Sequence, residues 1–574
     1  MPSAMPKATW QLLPAPPDQV GSLARSLALP QWAARVLWLR GLRQPGPARE
    51  FLDPRLEHLP RPEGLLGLEA ALEVLVPAVE QGVTVGVAGD YDADGVTATA
   101  LMVEFLEQVG VPVVWDIPHR LHDGYGFSPA SARRLARKGA RLVITVDSGI
   151  SDHQGLAAAR DLGLEVVVTD HHQIPPGPLV PARAVINPQQ EGCRLPAHLA
   201  GVGVAFYLAA GLRAALRERG FFRSRPEPNL RRSLDLVALG TCADVVPLVG
   251  CNRVLVRQGL AVMNQAPRPG LAALARVAGL SRGMDSRDLS FGLAPRVNAP
   301  GRLDHAGPAL ELMLSAGPDQ ALPLAQTLDQ LNRRRQEVGR EMFEQALEMV
   351  GEDQDLGERP CLVLARPQWH RGVLGIVASR LVEKFRRPTL LLSLENGSAY
   401  GSGRSLPGFH LQQALSRLES LLSSYGGHAL AAGLSLPSRH LDQLAQGLCQ
   451  AAQEHLSKWR QPPVLELDAL VKPEQLAGQA LPLLESLAPF GEGNPPPRLG
   501  LQGVKVKRAW IVAQKHLKLE LEGAGAQAIG FNLAHLLPRP GDRLDLACTP
   551  RISNFQGRHL ELIVEDLRVC GKPS

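Results

Sequence analysis

The stretch VTVGVAGDYDADG (83–95) decides the fold: an apolar run of strand length ends in glycine, then in three aspartates at alternate positions, and a helical pattern follows over Thr97 to Gln108. The same grammar repeats downstream. VPVVWDI (111–117) precedes a helical pattern around Ala130 to Lys138. ARLVITVDSG (140–149) precedes one over His153 to Leu162, and EVVVTDHH (165–172) leads into RAVINPQ (183–189). Short apolar strands alternating with helices predict an α/β fold with a mainly parallel sheet covered on both faces. In such sheets ligands collect where strands end.

Working outward, 574 residues correspond to roughly three to four domains at about 150 residues each. A hydrophobic share of 45% supplies a core for each, which excludes a disordered chain. Residues 1–70, proline-rich and without an assignable motif, read as an N-terminal extension, and 71–250 hold the strand–helix alternation. From about 190 to 345 the pattern is helical, and the 251–350 region closes in a long polar helix, PDQALPLAQTLDQLNRRRQEVGREMFEQALEMV, expected as a connector. A second α/β pattern occupies 351–460: CLVLA, the helix GVLGIVASRLVEKF, PTLLLS, AYGSGRS and a helical return to about His455. Past the proline-marked QPPV at 461, short strands with turn signals run to 574 and predict a small OB-like barrel. No run of about 18 apolar residues is present and the start, MPSAMPKATW, lacks a secretory core, so no membrane association and a cytoplasmic location are expected. Seven cysteines without a CxxC pair argue against a zinc knuckle or a disulfide framework and predict buried thiols.

Asp90, Asp92 and Asp94 directly before a helix repel one another unless a cation sits among them. Capping and dipole roles account for one of them well and for three poorly. Two further strands deliver Asp147-Ser148-Gly149 and Asp170-His171-His172 to the same sheet edge, and Asp244 in LVALGTCADVVPL offers a bridging or closing ligand. A set of carboxylates and imidazole without thiolate suits Mn²⁺ or Mg²⁺. There are enough candidate ligands for two such ions, the arrangement that serves phosphoryl displacement.

The net charge of +5 is too small to identify a partner, but its distribution is uneven. Between Arg213 and Arg232 seven arginines face only Glu218 and Glu227, and Arg333, Arg334 and Arg335 form a second cluster, each readable as a solvated helix face. Lys505, Lys507, Lys515 and Lys518 surround Trp510, a pattern that fits a nucleic-acid groove and a solvated sheet face almost equally.

The order GDYDADG, VDSG, DHH, ADVVP resembles the DHH phosphoesterase superfamily and, within it, the RecJ family of single-strand-specific 5′ to 3′ exonucleases. LAPRVNAPGR (293–302), WHRGVLGIVASRL (369–381), GSGRSLPGFH (401–410), YGGHALAAG (425–433) and PFGEGNPPP (489–497) are similar to that family in the same order, from about residue 85 to the end. The resemblance implies a DHH catalytic domain, a DHH-associated (DHHA1) substrate-binding domain and an OB-like nucleic-acid-binding domain. It implies that Asp92, Asp94, Asp147, His171 and Asp244 bind metal, that His172 contacts the scissile phosphate, and that Asp90 orients other ligands. Many superfamily members begin the first motif with a histidine where this sequence has Ala88, a departure that favours RecJ over the inorganic-pyrophosphatase branch. Arg296, Asn298 and Arg302, His370, Ser402 and Arg404, His428 and Trp510 are the expected substrate-binding residues. For Arg296 and Arg302 a helix-end ion pair is the alternative, and for His428 a buried structural side chain.

The implied activity is metal-dependent hydrolysis of single-stranded DNA to nucleoside 5′-monophosphates. It would serve recombination and mismatch repair as a monomer, alongside a DNA helicase and single-strand-binding protein. Two alternatives stand beside it: a DHH phosphodiesterase of short oligonucleotides or cyclic dinucleotides, and a non-catalytic single-strand-binding replication scaffold.

Overall fold

The computed structural model describes residues 9–120, 122–280, 283–352, 358–455, 459, 464–476, 480–553 and 558–570. Most of the QPPV boundary lies outside the described residues. Short strand Thr9–Leu12 (β1) precedes a five-stranded sheet built from Val85–Ala88 (β2), Val113–Asp116 (β3), Leu142–Val146 (β4), Glu165–Thr169 (β5) and Ala184–Ile186 (β6). The order is β3-β2-β4-β5-β6 and every pairing is parallel. Alternate residues feed two cores: Val87, Ile144 and Val167 face the helices Leu68–Glu80, Ala93–Gln108 and Gly201–Glu218, whereas Ala88, Val143, Val166 and Val168 face Pro129–Arg137 and His153–Asp161. The chain leaves β2 for β3 on one side and resumes at β4 on the other, so the carboxyl ends of β2 and β4 form the switch point where such sheets bind ligands.

The connector is a single helix, Pro318–Glu352. Ala321, Ala325 and Leu328 belong to the core of the first sheet, and Met342, Ala346 and Val350 to a core of the second α/β unit. That unit carries Leu362–Pro367 (β7), Thr389–Glu395 (β8), Ser398–Arg404 (β9), Ser424–Gly427 (β10) and Ala431–Pro437 (β11), ordered β10-β11-β9-β8-β7. The helical return expected after Arg404 is corrected here. A β10–β11 pair intervenes, with Ala432, Leu434 and Leu436 buried at every second position, because glycine-rich YGGHALAAG is strand as well as turn.

The C-terminal strands are Val464–Leu467 (β12), Ala469–Val471 (β13), Leu499–Val512 (β14), His516–Leu521 (β15), Gln527–Gly530 (β16), Arg543–Ser553 (β17) and His559–Val569 (β18). Pairing of β14 with both β15 and β17 closes β14-β15-β16-β18-β17 into the expected barrel. The N-terminal segment is more than an extension. β1 pairs in parallel with β12, and Val20, Leu23, Trp32, Val36 and Leu37 share one core with barrel residues Leu499, Leu517 and Leu546. Cysteines 242, 251, 361 and 548 are buried as expected, but Cys193 and Cys449 are only half-buried and Cys570 is exposed. Among the described residues, no helix is long and apolar enough to cross a membrane.

One side chain makes five hydrogen bonds at the junction of the first and last units. Arg253, 1% exposed, donates to the carbonyls of Phe51, Ser486, Leu487, Ala488 and Pro489 at 2.8–3.4 Å, and its guanidinium lies 3.6 Å from the Phe51 ring centre. Burial, reinforced by Arg257 and Arg40, lowers its pKa to about 9. Arg253→Met keeps the side-chain length and removes every side-chain donor. The expected loss is about 3 kcal/mol or more, read as a drop in melting temperature and faster proteolysis between the units; an unchanged melt would mean that the junction is held by its apolar contacts and by the bonds of Arg257, Ser286 and Leu248 to the same segment.

Candidate metal centre

The three aspartates of the first motif are used in three different ways. Asp92 caps the helix Ala93–Gln108, accepting from the amides of Asp94 and Gly95 at 3.0 Å. Asp94 reaches across to the first turn of the helix Gly201–Glu218 and accepts from Gly201 at 2.6 Å and Val202 at 3.0 Å. Asp90 is buried with Oδ1 unpaired. Only glycines allow this crowding: a Cβ on Gly95 would lie 2.7 Å from the Asp90 amide, one on Gly201 2.7 Å from Asp147 Cβ, and one on Gly240 2.7 Å from Asp94 Oδ1. Asp147, at the end of β4, is itself held at φ +59°, a conformation uncommon outside glycine.

Around His171 Nε2 stand Asp147 Oδ1 at 3.1 Å, Asp244 Oδ2 at 3.6 Å and Asp94 Oδ2 at 3.9 Å. His171 Nε2 and Asp147 Oδ1 are both buried without a hydrogen-bond partner despite their closeness, because they are not aligned to bond to each other. Three groups of donor atoms each fall within 4.8 Å: Asp147, His171 and His172; Asp94, His171 and Asp244; and Asp90, Asp92 and Asp147. The groups are joined through His171 and Asp147. Asp90 therefore stands among the groups that could take a cation.

Electrostatics agrees with a cation. Burial, then the charge of Asp92, raises Asp94 to about 7; burial, then Asp94 and Asp92, raises Asp244 to about 8; burial and the same neighbours push Asp147 up. Burial, then the His172 charge, lowers His171 to about 4, so its ring is neutral and has a lone pair to give. Orphaned buried oxygens, a neutral imidazole and mutually repelling carboxylates fit a hard divalent cation such as Mn²⁺ or Mg²⁺.

His172 differs from its neighbour. Burial lowers its pKa, but Asp170, hydrogen-bonded to Nδ1 at 2.8 Å, and the facing carboxylates outweigh that and raise it to about 9. Tyr125, bracketed by Gly124 and Gly126, both at positive φ, donates to the Asp147 carbonyl at 2.9 Å and lies 3.1 Å from His172 Nδ1.

On the Tyr91 side of the centre is a cationic cluster. Arg120 lies 5.0 Å from the Tyr91 ring centre; Arg404 donates to Ser402 Oγ at 3.2 Å and Gly403 O at 2.8 Å. Burial, then Arg120 and Arg335, lowers Arg302 to about 10, and burial, then Arg120, also lowers Arg404. His370 accepts from the Gly372 amide at 3.1 Å, and a Cβ on Gly375 would meet Arg404 at 2.7 Å. A cavity of about 350 Å³ that includes none of these arginines is lined by His171, His172, Gln189, His198, Val246 and, from the second α/β unit, His428.

Three of the expected substrate-binding residues have other surroundings in the structure. Arg296 is committed to Asp329 at 2.8 Å and the Gly292 carbonyl at 2.7 Å, the helix-end ion pair. Asn298 accepts from the Ala93 amide at 2.8 Å, which pins the aspartate loop. Trp510 lies on β14 with Arg508 5.6 Å from its ring, on the barrel and apart from the central cavity, and Lys505 and Lys507 pair with Glu522 at 3.0 Å and Glu520 at 2.7 Å. Arg213 and Arg217 pair with Glu227, and Arg219 with Glu80. Arg120, Tyr125 and His198 carry no sequence signal of their own apart from the glycine bracket around Tyr125, and Asp170, delivered at the strand end as expected, serves His172.

Three family models match: the DHH family N-terminal domain over residues 84–241, the DHHA1 domain over 358–454 and the RecJ OB domain over 467–566. Single-stranded-DNA-specific exonuclease RecJ of Escherichia coli (strain K12) is 38% identical over 94% of this chain and 96% of its own, and that of Dickeya dadantii is 40% identical over the same shares. The chain belongs to the RecJ family. A crystal structure of Thermus thermophilus RecJ in complex with Mn²⁺ superposes with a TM-score of 0.81 at 32% identity, covering 99% of this chain and 80% of that one. The same RecJ has also been solved in complex with Mg²⁺, with a TM-score of 0.76.

The raised carboxyl groups give a pH-dependent signature. Asp94 and Asp244 hold protons in the metal-free fold that they would lose unfolded at the ordinary 3.8, so this stabilisation is present at low pH and disappears as pH rises through about 7 to 8. A bound cation replaces those protons. A Mn²⁺ concentration a hundredfold above the dissociation constant at about pH 8.5 is worth about 2.7 kcal/mol, and the same concentration is expected to raise the melting temperature less at about pH 6; an equal rise at both, or none, would contradict a carboxylate site.

Proposed function

We propose that this protein degrades single-stranded DNA from the 5′ end, releasing nucleoside 5′-monophosphates. The observation that carries the reading is the juxtaposition of an orphaned carboxylate–imidazole cluster with buried arginines supplied by both α/β units. Family membership gives the substrate class, since the RecJ relatives are named as single-stranded-DNA-specific exonucleases.

Asp92, Asp94, Asp147, His171 and Asp244, with Asp90 offering a further oxygen, would hold Mn²⁺ or Mg²⁺, with donors enough for two ions. When bound, the cation supplies Lewis acidity, which lowers the pKa of water and offsets charge on the phosphate. The chain's own residues do the rest. His172, protonated through Asp170, donates to a non-bridging oxygen of the scissile phosphate. Tyr125 holds that ring and the Asp147 carbonyl in fixed relation. Arg302 and Arg404, with Ser402, His370 and Arg120, receive the terminal 5′-phosphate, because cations that are buried without enough compensating acid favour an anion. Cations on one flank and the cluster at the centre set the direction: the end nucleotide lies between them and the strand continues away. The barrel would hold the trailing strand. Action as a monomer in the cytoplasm, with a helicase and single-strand-binding protein in recombination and mismatch repair, completes the proposal.

Purified protein with Mn²⁺ is to be given single-stranded DNA labelled at the 5′ or the 3′ end, with duplex as control. Immediate release of 5′-labelled mononucleotide is expected, with duplex spared. Asp147→Ala should lose about three orders of magnitude in turnover and still bind the strand, and Arg404→Ala should lose the preference for a 5′-phosphate over a 5′-hydroxyl end. Hydrolysis of dinucleotides alone would move the protein to the short-oligonucleotide phosphodiesterases; no hydrolysis of either would make it a scaffold.

A further inference from the structure

His198 is a histidine of the cleft to which the roles above give no part. It lines the cavity with His171, His172 and His428, and its Nε2 is buried without a hydrogen-bond partner. A buried ring nitrogen left unpaired costs free energy that a group entering the cavity would recover. The residue is rigidly presented: its carbonyl accepts from Asn252 Nδ2 at 2.8 Å, and three residues further on begins the helix whose first amides hold Asp94. Burial lowers its pKa, so the ring is neutral and acts through a hydrogen bond and not through charge.

The cavity is lined by His171 and His172 and by no member of the arginine cluster, which stands by Tyr91 and Asp92. If the terminal phosphate occupies the arginines and the scissile phosphate faces His172, the nucleotide after the scissile bond runs into this cavity. Its lining suits a nucleotide of any sequence. Val246 and Ala197 offer apolar contact to a sugar or a base face, while Gln173, Gln189 and His198 offer neutral polar edges.

We propose that His198 binds the nucleotide on the 3′ side of the scissile bond, donating from its imidazole ring to an oxygen of its phosphodiester linkage. The inference rests on the reading of the centre as a single-strand exonuclease. It assigns His198 to ground-state holding of the strand.

The test is steady-state degradation of a 5′-phosphorylated oligothymidylate in Mn²⁺ by wild type, His198→Ala, His198→Gln and Arg404→Ala, with Mn²⁺ affinity by calorimetry and melting temperature on each. His198→Ala is expected to raise KM about three- to tenfold, the worth of one hydrogen bond, with kcat within about twofold. His198→Gln, which keeps a neutral donor, should recover most of the loss. Mn²⁺ affinity, melting temperature, the 5′-phosphate preference and the slope of log KM against log salt should stay at wild-type values, since no charge is removed; Arg404→Ala should change the last two. An unchanged KM in His198→Ala overturns the proposal. So does a fall in kcat and Mn²⁺ affinity at constant KM, which would make His198 a support of the Asp94 helix. A wild type that degrades no single strand removes the exonuclease reading itself, and is recognised because every variant then reads zero.

Discussion

Carboxylates buried within reach of one another around a single imidazole nitrogen are the constraint on which the rest of the architecture depends. Asp94, Asp147 and Asp244 all face His171 Nε2 within 3.9 Å, and desolvation and mutual repulsion both oppose their ionisation. The fold offsets part of this with backbone dipoles: Asp94 sits on the amide end of the helix Gly201–Glu218, and Asp92 on that of Ala93–Gln108. The remainder is left for a cation. The switch point between β2 and β4 is where such a cluster can be assembled, because adjacent parallel strands deliver their ends to one edge while their helices depart to opposite faces. Gly95, Gly201 and Gly240 then remove the Cβ atoms that would otherwise force the carboxylates apart.

A cluster of acids alone would repel a polyanion, so the arginines must be held nearby but on a separate body. The connector helix does this. Its 35 residues span about 52 Å at about 1.5 Å per residue, and each half is packed into a different core, which fixes the second α/β unit relative to the first. At the seam, a Cβ on Gly372 would collide with the Arg302 carbonyl, so the loop carrying His370 lies directly on the helix carrying Arg302. Cations from two units thus converge beside Asp92 without pairing with it.

The parallel sheet, the strand-end acids and histidines and the barrel were legible because each is written in local sequence: apolar runs of fixed length, carboxylates just after them, alternation in β14 to β18. What was not legible is non-local or ambiguous. The N-terminal segment joins the barrel through contacts such as Arg35 with the Asp468 carbonyl, 433 residues apart, and short amphipathic helices carry no address. The β10–β11 pair was missed because glycines at 426, 427 and 433 read as breakers although the residues between them alternate. Arg296 and Asn298 precede Arg302 in one motif, yet helix geometry turns them toward Asp329 and the Ala93 amide, so a shared motif does not imply shared surroundings. Asp170 looked like part of a histidine motif, while its work is to accept from Ile150, His171, His172 and the His172 ring at once.

The adjacent histidines show how one tripeptide yields two chemistries. His171 and His172 share a backbone turn, and their ring centres are 4.4 Å apart, yet burial and the neighbouring charge bring one to about 4 while Asp170 carries the other to about 9. The pair cannot both be cations at that separation, and the position of Asp170 decides which one is. Its carboxylate, itself held below the ordinary range because the His172 ring and backbone amides outweigh its burial, accepts from the side chain of His172 and only from the backbone of His171. The neutral ring is thereby left facing the carboxylates with a lone pair to give, and the charged ring is left able to donate, as the proposed phosphate contact requires. Exchanging the two would place a positive charge inside the candidate cation site and a neutral ring against the proposed anion. The order of acid and imidazoles in Asp170-His171-His172 is therefore fixed by electrostatics, given a strand that ends at Thr169.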